Sequence, residues 1–191
     1  MPAIVGRVSY TGDLGYEIWV KPAHLVRLYD DLMAAGGEFD IRPFGARALN
    51  ALRLEKNYGS WGREYRPLYG PIELGLERFV AYDKPADFIG KSGALAERET
   101  GGSKRLISLA VAAVDADVIG DEPISIDGAV VGWVTSGGYA HTSQTSVALA
   151  MVPKAVATRD KGWQIELLGQ TLDATLISEP LFDANAGRMR S

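Results

Sequence analysis

Cysteine is absent from all 191 residues, which excludes disulfides, thiolate nucleophiles, iron–sulfur ligation by this chain and Cys-type zinc sites. Histidine is nearly absent too: His24 and His141 are the only 2, too few for a His-rich metal site. Basic charge is neither in excess nor clustered, with 20 Lys and Arg against 24 Asp and Glu and a net charge of -4. A nucleic-acid partner, which selects a concentrated basic face, is therefore not expected. Long apolar runs are missing. The longest, residues 106–114, is interrupted by Ser108 and falls well short of the ~20 residues that cross a bilayer as a helix, so no membrane partner is expected. The opening Met1-Pro2-Ala3-Ile4-Val5-Gly6-Arg7 contains no apolar signal core. These absences set the expectation of a reducing, cytoplasmic compartment.

What remains is the composition of an ordinary globular chain, 47% hydrophobic and 23% charged. Residues 5–10 and 16–20 read as two strands joined by a Gly-containing turn at 11–15, a hairpin. A strand this close to Met1 is the pattern of a chain with further polypeptide ahead of it. Residues 22–35 carry Leu25, Val26, Leu28, Tyr29, Leu32 and Met33 at helical spacing, start with Pro22 and stop at Gly36-Gly37. A second helix is expected over 46–56, a long ordered loop over 60–75, a strand over 79–82 and a short helix over 87–98 closed by Gly101-Gly102.

After residue 100 the texture changes. Segments 105–114, 122–126, 129–136, 145–152, 162–168 and 170–177 are strand-like, with Asp127-Gly128, Gly137-Gly138 and Leu168-Gly169 as turn signals. Such spacing predicts a small closed barrel. The expected fold class is α+β: a partial α+β domain over 1–100 followed by a six-stranded antiparallel β-barrel over 101–191.

Few residues carry recognisable chemistry. In the second strand Glu17 shares a face with Trp19, opposite Tyr16, Ile18 and Val20. If that face is covered, the carboxylate must be paired or bonded to a ligand, because an unpaired buried charge is costly; if not, Glu17 is an ordinary exposed strand residue. On the second helix Arg53 either reaches solvent on its aliphatic stem or clamps an anion or a carboxylate such as Glu17. Trp61, in the loop Trp61-Gly62-Arg63-Glu64-Tyr65, is either half-buried core or a stacking platform for a flat heterocycle. Ser136 and His141 lie close in sequence but lack an acid at a triad spacing. No Walker loop and no Gly-x-Gly-x-x-Gly run is present.

The order of Tyr10-Thr11-Gly12-Asp13-x-Gly15-x-Glu17, Gly45-Ala46-Arg47-Ala48 running into Leu52-Arg53-Leu54-Glu55, Val131-Gly132-Trp133-Val134-Thr135-Ser136-Gly137 and Val147 to Val152 resembles the C-terminal half of the glycine-cleavage T-protein (aminomethyltransferase) superfamily. The run Arg53 to Tyr58 followed by Trp61-Gly62-Arg63-Glu64 is most similar to the C-terminal, folate-binding region of dimethylglycine and sarcosine dehydrogenases. The resemblance implies tetrahydrofolate as cofactor, with Glu17 holding the pterin's amino edge and Tyr10, Arg53 and Trp61 completing the pocket. It also implies that the family's catalytic aspartate, and any FAD domain, lie outside these residues. No catalytic residue and no metal ligand is therefore assigned, and the chain is expected to be inactive alone. The partners implied are the folate and an N-terminal aminomethyltransferase half or flavoprotein chain, with self-association through an uncovered apolar face. The competing expectation is a non-catalytic interaction module docking on a partner chain. Folate-binding relatives in iron–sulfur maturation, which carry a Cys-containing motif, fit a cysteine-free chain poorly.

Overall fold

Residues 1–190 are described by the computed structural model. The chain opens with a two-stranded antiparallel sheet, β1 (Ile4–Gly6) and β2 (Glu17–Trp19), in the register Ile4↔Trp19, Val5↔Ile18, Gly6↔Glu17. A 3-10 turn at Pro22–His24 leads into α1 (Leu25–Gly36), then α2 (Ala46–Glu55), and after a long irregular stretch α3 (Lys91–Thr100). Gly101, in the left-handed region at φ 73, ends α3 with its N–H donated to Glu97 O.

The second half is the barrel: β3 (Lys104–Val111), β4 (Pro123–Ile126), β5 (Ala129–Ala140), β6 (Thr145–Pro153), β7 (Trp163–Leu167) and β8 (Gln170–Ile177). These close in the order β3-β6-β5-β4-β7-β8, with every pairing antiparallel. A one-turn helix α4 (Gly187–Arg190) follows. Inside the barrel the small Ala148, Ala150 and Ala174 sit among Leu109, Ile124, Ile126, Trp163 and Ile165, the mixture of sizes a narrow closed sheet needs. Trp163 is fully buried, and its indole N–H donates to Arg159 O at 2.8 Å.

The turns follow residue chemistry with one exception. Asp127-Gly128 and Leu168-Gly169 both place two residues at positive φ (52 and 78, 49 and 79) between directly paired strand ends, the two-residue hairpin geometry that matches strand twist. Gly137-Gly138 is not a turn. It lies within β5, which continues to Ala140, and the reversal falls at residues 141–144. A Cβ on Gly137 would collide with the Val118 carbonyl, whereas Gly138 is held at φ 156, a conformation L side chains rarely adopt. Gly137 serves the close approach of a neighbouring segment and Gly138 the backbone conformation.

The strand expected over 79–82 is also absent. Glu77–Phe79 forms a 3-10 turn, and Val80 is extended (φ -97, ψ 117) but joins neither sheet among the described residues. A strand needs a ladder partner; β1 and β2 pair only with each other.

The two halves differ in how much they bury. Every residue of β6 from Ser146 to Val152 is buried, on both faces, because the barrel fills one side and α2 with its flanking segments covers the other. By contrast no residue of β1, β2 or α1 is buried. Ile4, Val5, Trp19, Val26, Tyr29 and Phe44 are all exposed. No helix is long and apolar enough to cross a membrane among the described residues.

Candidate functional site

The last turn of α2 anchors the first half on its surroundings through three buried charges. Arg53, Glu55 and Lys56 are almost wholly inaccessible. The Arg53 guanidinium donates to Asn50 Oδ1 (2.9 and 2.7 Å), to Tyr58 O (2.9 Å) and to Glu64 Oε2 (3.4 Å). Glu55 Oε1 accepts the Thr142 N–H from the β5–β6 reversal at 2.8 Å. Lys56 Nζ donates to Asp183 O at 2.7 Å and lies 3.5 Å from the Asp183 carboxylate. Burial pushes the Asp183 carboxyl up, but the Gly187 and Arg188 N–H groups and Lys56 outweigh it and hold the group below its usual value. Gly12 has no side chain because the methylenes of Lys56 occupy that space.

Arg53 therefore neither reaches solvent nor pairs with Glu17. Its acid is Glu64, fully buried at the end of the loop run Trp61-Gly62-Arg63-Glu64, which also accepts the Ser60 N–H at 2.7 Å. A buried guanidinium must find an acceptor, and the loop returns one within reach eleven residues later. Sequence reasoning gave Glu64 no role. The available signal was a lone acid in a Gly- and aromatic-rich loop next to a helix with an arginine to satisfy.

Tyr10 is drawn to the same place. Its hydroxyl donates to Gly59 O at 3.0 Å, and its ring stacks on Tyr58 with centroids 6.4 Å apart. Burial pushes the Tyr10 phenol above its ordinary range; Arg53 opposes this, while Glu64 and Tyr65 add to it. Protonated at neutral pH, it is a fixed donor. Tyr10, Asn50, Arg53, Ser60, Arg63 and Ser136 line a cleft of about 310 Å³ between α2, the loop and β5.

The other two expected residues lie elsewhere. Glu17 is exposed on β2 and makes no hydrogen bond or ion pair among the described residues; its face of the hairpin is open, so nothing forces it to find a protein partner. Trp61 is 86% exposed and borders a separate apolar depression of about 610 Å³ with Tyr65, Tyr69, Leu74 and Phe79. Exposed in this way it is not core; its face is free for stacking. No group of three or more His, Asp or Glu residues positioned to hold a metal ion occurs among the described residues.

Comparison with known proteins agrees with this architecture. Residues 1–84 match the GCVT N-terminal domain and residues 104–183 match the glycine cleavage T-protein C-terminal barrel domain. The chain is 43% identical to mouse mitochondrial dimethylglycine dehydrogenase over 100% of its own length and 22% of that protein. It is 32% identical to the aminomethyltransferase of Symbiobacterium thermophilum over 94% of its length and 48% of that enzyme. Aminomethyltransferase T of the glycine cleavage system from Bartonella henselae superposes with a TM-score of 0.84 at 25% identity, covering 94% of this chain and 50% of that one. The chain thus spans about half the length of the aminomethyltransferases it matches and about a fifth of the dimethylglycine dehydrogenase. With both domain types present in this order, the chain belongs to the glycine-cleavage T-protein superfamily.

Proposed function

We propose that this chain is the folate-binding C-terminal segment of an aminomethyltransferase- or dimethylglycine dehydrogenase-like protein, supporting one-carbon transfer to tetrahydrofolate. In this reading residues 1–100 are the later part of the folate-binding domain and 101–191 its barrel. The observation that carries it is the meeting of Tyr10 and Arg53, from two separate family motifs, at one cleft.

The chemistry of the available groups fits a reduced pterin. Glu17 offers a two-oxygen acceptor, the complement of a 2-amino-4-oxo edge. Trp61 offers an open aromatic face, and Tyr10 with Arg53 forms a fixed wall. Tyr10 and Arg53 line the cleft while Glu17 on β2 and Trp61 at the neighbouring depression lie outside it, and in this reading the remaining walls belong to polypeptide outside these residues. Tetrahydrofolate, when bound, supplies the amines that accept a methylene unit. The residues here bind and orient it, and the acid that acts on the folate amine is supplied by the same outside polypeptide.

The bare apolar surface of β1, β2 and α1 is the seat of that partner, whether continuous with this chain or a separate subunit; it is also what favours the alternative reading, a non-catalytic docking module. Calorimetric titration with tetrahydrofolate separates the two. Saturable binding to the wild type, weakened about tenfold or more in Glu17→Ala by loss of a charge-assisted contact, is expected. Equal binding by both proteins, or by neither, sinks the folate assignment and leaves the docking module.

A further inference from the structure

The residues lining the Tyr10–Arg53 cleft include two cations, Arg53 and Arg63, and no acid. The two arginines are not equivalent. Arg53 is buried and spends its N–H groups on Asn50, Tyr58 O and Glu64, so it offers an incoming group little beyond a fixed wall. Arg63 is open. Its side chain is 50% exposed, and among the described residues its guanidinium donates only through Nη1, to Asp121 Oδ2 at 2.9 Å. A guanidinium carries more N–H donors than one such acceptor uses, which leaves Nε and Nη2 of Arg63 for a ligand.

Asp121 ties this guanidinium to the barrel without exhausting it. The acid lies between β3 and β4, where its N–H donates to Val134 O at 2.7 Å and Glu122 O accepts the Val134 N–H at 2.9 Å. The Glu122 carboxylate holds the same loop by accepting the Ile119 and Gly120 N–H groups, each at 2.8 Å. Asp121 itself is 75% exposed, and an ion pair this open contributes little. A second acceptor can therefore join the guanidinium, or displace Asp121 from it, at small cost. The Ser60 and Ser136 hydroxyls line the same cleft and make no hydrogen bond among the described residues.

The anion that suits this arrangement is a carboxylate, whose coplanar oxygens match parallel guanidinium N–H groups. Phosphate sites draw in addition on free backbone N–H groups, and those of the lining loops are spent: Ser60 on Glu64, Arg63 on Ser60 O and Ile119 on Glu122.

We propose that Arg63 is the carboxylate receptor of this cleft, with Asp121 as the internal acid against which a ligand carboxylate competes. That carboxylate comes from the glutamyl tail of a folate or from a free amino acid; only the first source rests on the folate reading.

The test is calorimetric titration of the chain with tetrahydrofolate, with 6-methyltetrahydropterin, which has no carboxylate, with p-aminobenzoylglutamate and with glycine. Arg63→Gln is expected to weaken tetrahydrofolate about tenfold, the loss of one charge-assisted contact, and to leave 6-methyltetrahydropterin unaffected. Asp121→Asn removes the competing charge and keeps a residue type that tolerates φ 73; it is expected to tighten tetrahydrofolate about threefold. Loss of fold lowers affinity in both variants and cannot produce opposite signs. Arg63-dependent binding of p-aminobenzoylglutamate assigns the carboxylate to the folate tail, and Arg63-dependent binding of glycine assigns it to an amino acid. Tetrahydrofolate binding that ignores Arg63→Gln, or that weakens in Asp121→Asn, overturns the proposal and leaves the folate reading standing. If neither tetrahydrofolate nor the pterin binds while glycine binds through Arg63, the folate reading falls and the receptor remains. Binding of no carboxylate ligand overturns both.

Discussion

Arg53 and Glu64 show what a buried charge requires. Their side chains are 5% and 0% exposed, so each depends on the other and on neutral acceptors for its solvation. Removing one partner strands the other. Arg53→Met is expected to lower unfolding free energy by about 3–5 kcal/mol, measured by urea denaturation. The double variant Arg53→Met/Glu64→Gln is expected to recover part of that loss, since it removes the stranded carboxylate along with the guanidinium. An additive double variant would show that the 3.4 Å contact carries no coupling. The motif runs disclosed Arg53 as a residue in need of a partner but could not name the partner. Pairing Arg53 with Glu17 was compatible with residue types; the observed pairing depends on the path of residues 57–64, which local pattern does not encode.

At the level of elements, the barrel strands were readable because their alternation and turn chemistry agree with their tertiary role. The β7–β8 turn retains a local mismatch: Leu168 is 84% exposed and held at φ 49, a conformation disfavoured by its Cβ by roughly 1–2 kcal/mol. Leu168→Asn, which tolerates that region, is expected to stabilise the barrel by about 1 kcal/mol and raise Tm by about 2–4 °C, read by calorimetry. A lower Tm would mean the leucine makes a contribution its exposure does not show. Two readings failed at this scale for a common reason. Gly137-Gly138 looked like a turn and the 79–82 run looked like a strand because local composition supports both. What decided them was the surroundings: Val118 crowding Gly137 within a strand that pairs on to Ala140, and the lack of a ladder for Val80.

Across the whole molecule, the Glu73 carboxylate ties the halves together and Glu97 on α3 braces the Glu73 segment. Glu73 Oε1 accepts the Ser103 and Lys104 N–H groups at 2.8 and 3.0 Å and the Ser103 hydroxyl at 3.0 Å, while Leu106 N–H donates to Glu73 O at 2.7 Å. Glu97 Oε1 in turn receives the Ile72 and Glu73 N–H groups, each at 3.1 Å. Burial pushes Glu73 up, but these donors outweigh it and hold its carboxyl below the ordinary 4.5. Because the folded form keeps the group ionised, its contribution is complete above about 4.5 and disappears as pH falls through the lower folded value. Thermal unfolding is expected to show the wild type above Glu73→Gln at neutral pH and the two converging in acid. A gap that persists unchanged into acid would remove Glu73 ionisation from the linkage.

By itself the sequence determined the presence of two unlike halves, the barrel strands, the hydrophobic pattern of α1 and α2, and the family, since all of these rest on periodicity, turn residues and motif order along the chain. Tertiary structure alone decided which side chains meet. It put Tyr10 and Arg53 at one cleft, gave Arg53 to Glu64, and left Glu17 and Trp61 exposed. The physical reason is that hydrophobic spacing fixes the face a residue occupies, whereas contacts between distant segments depend on how loops return and what they must cover.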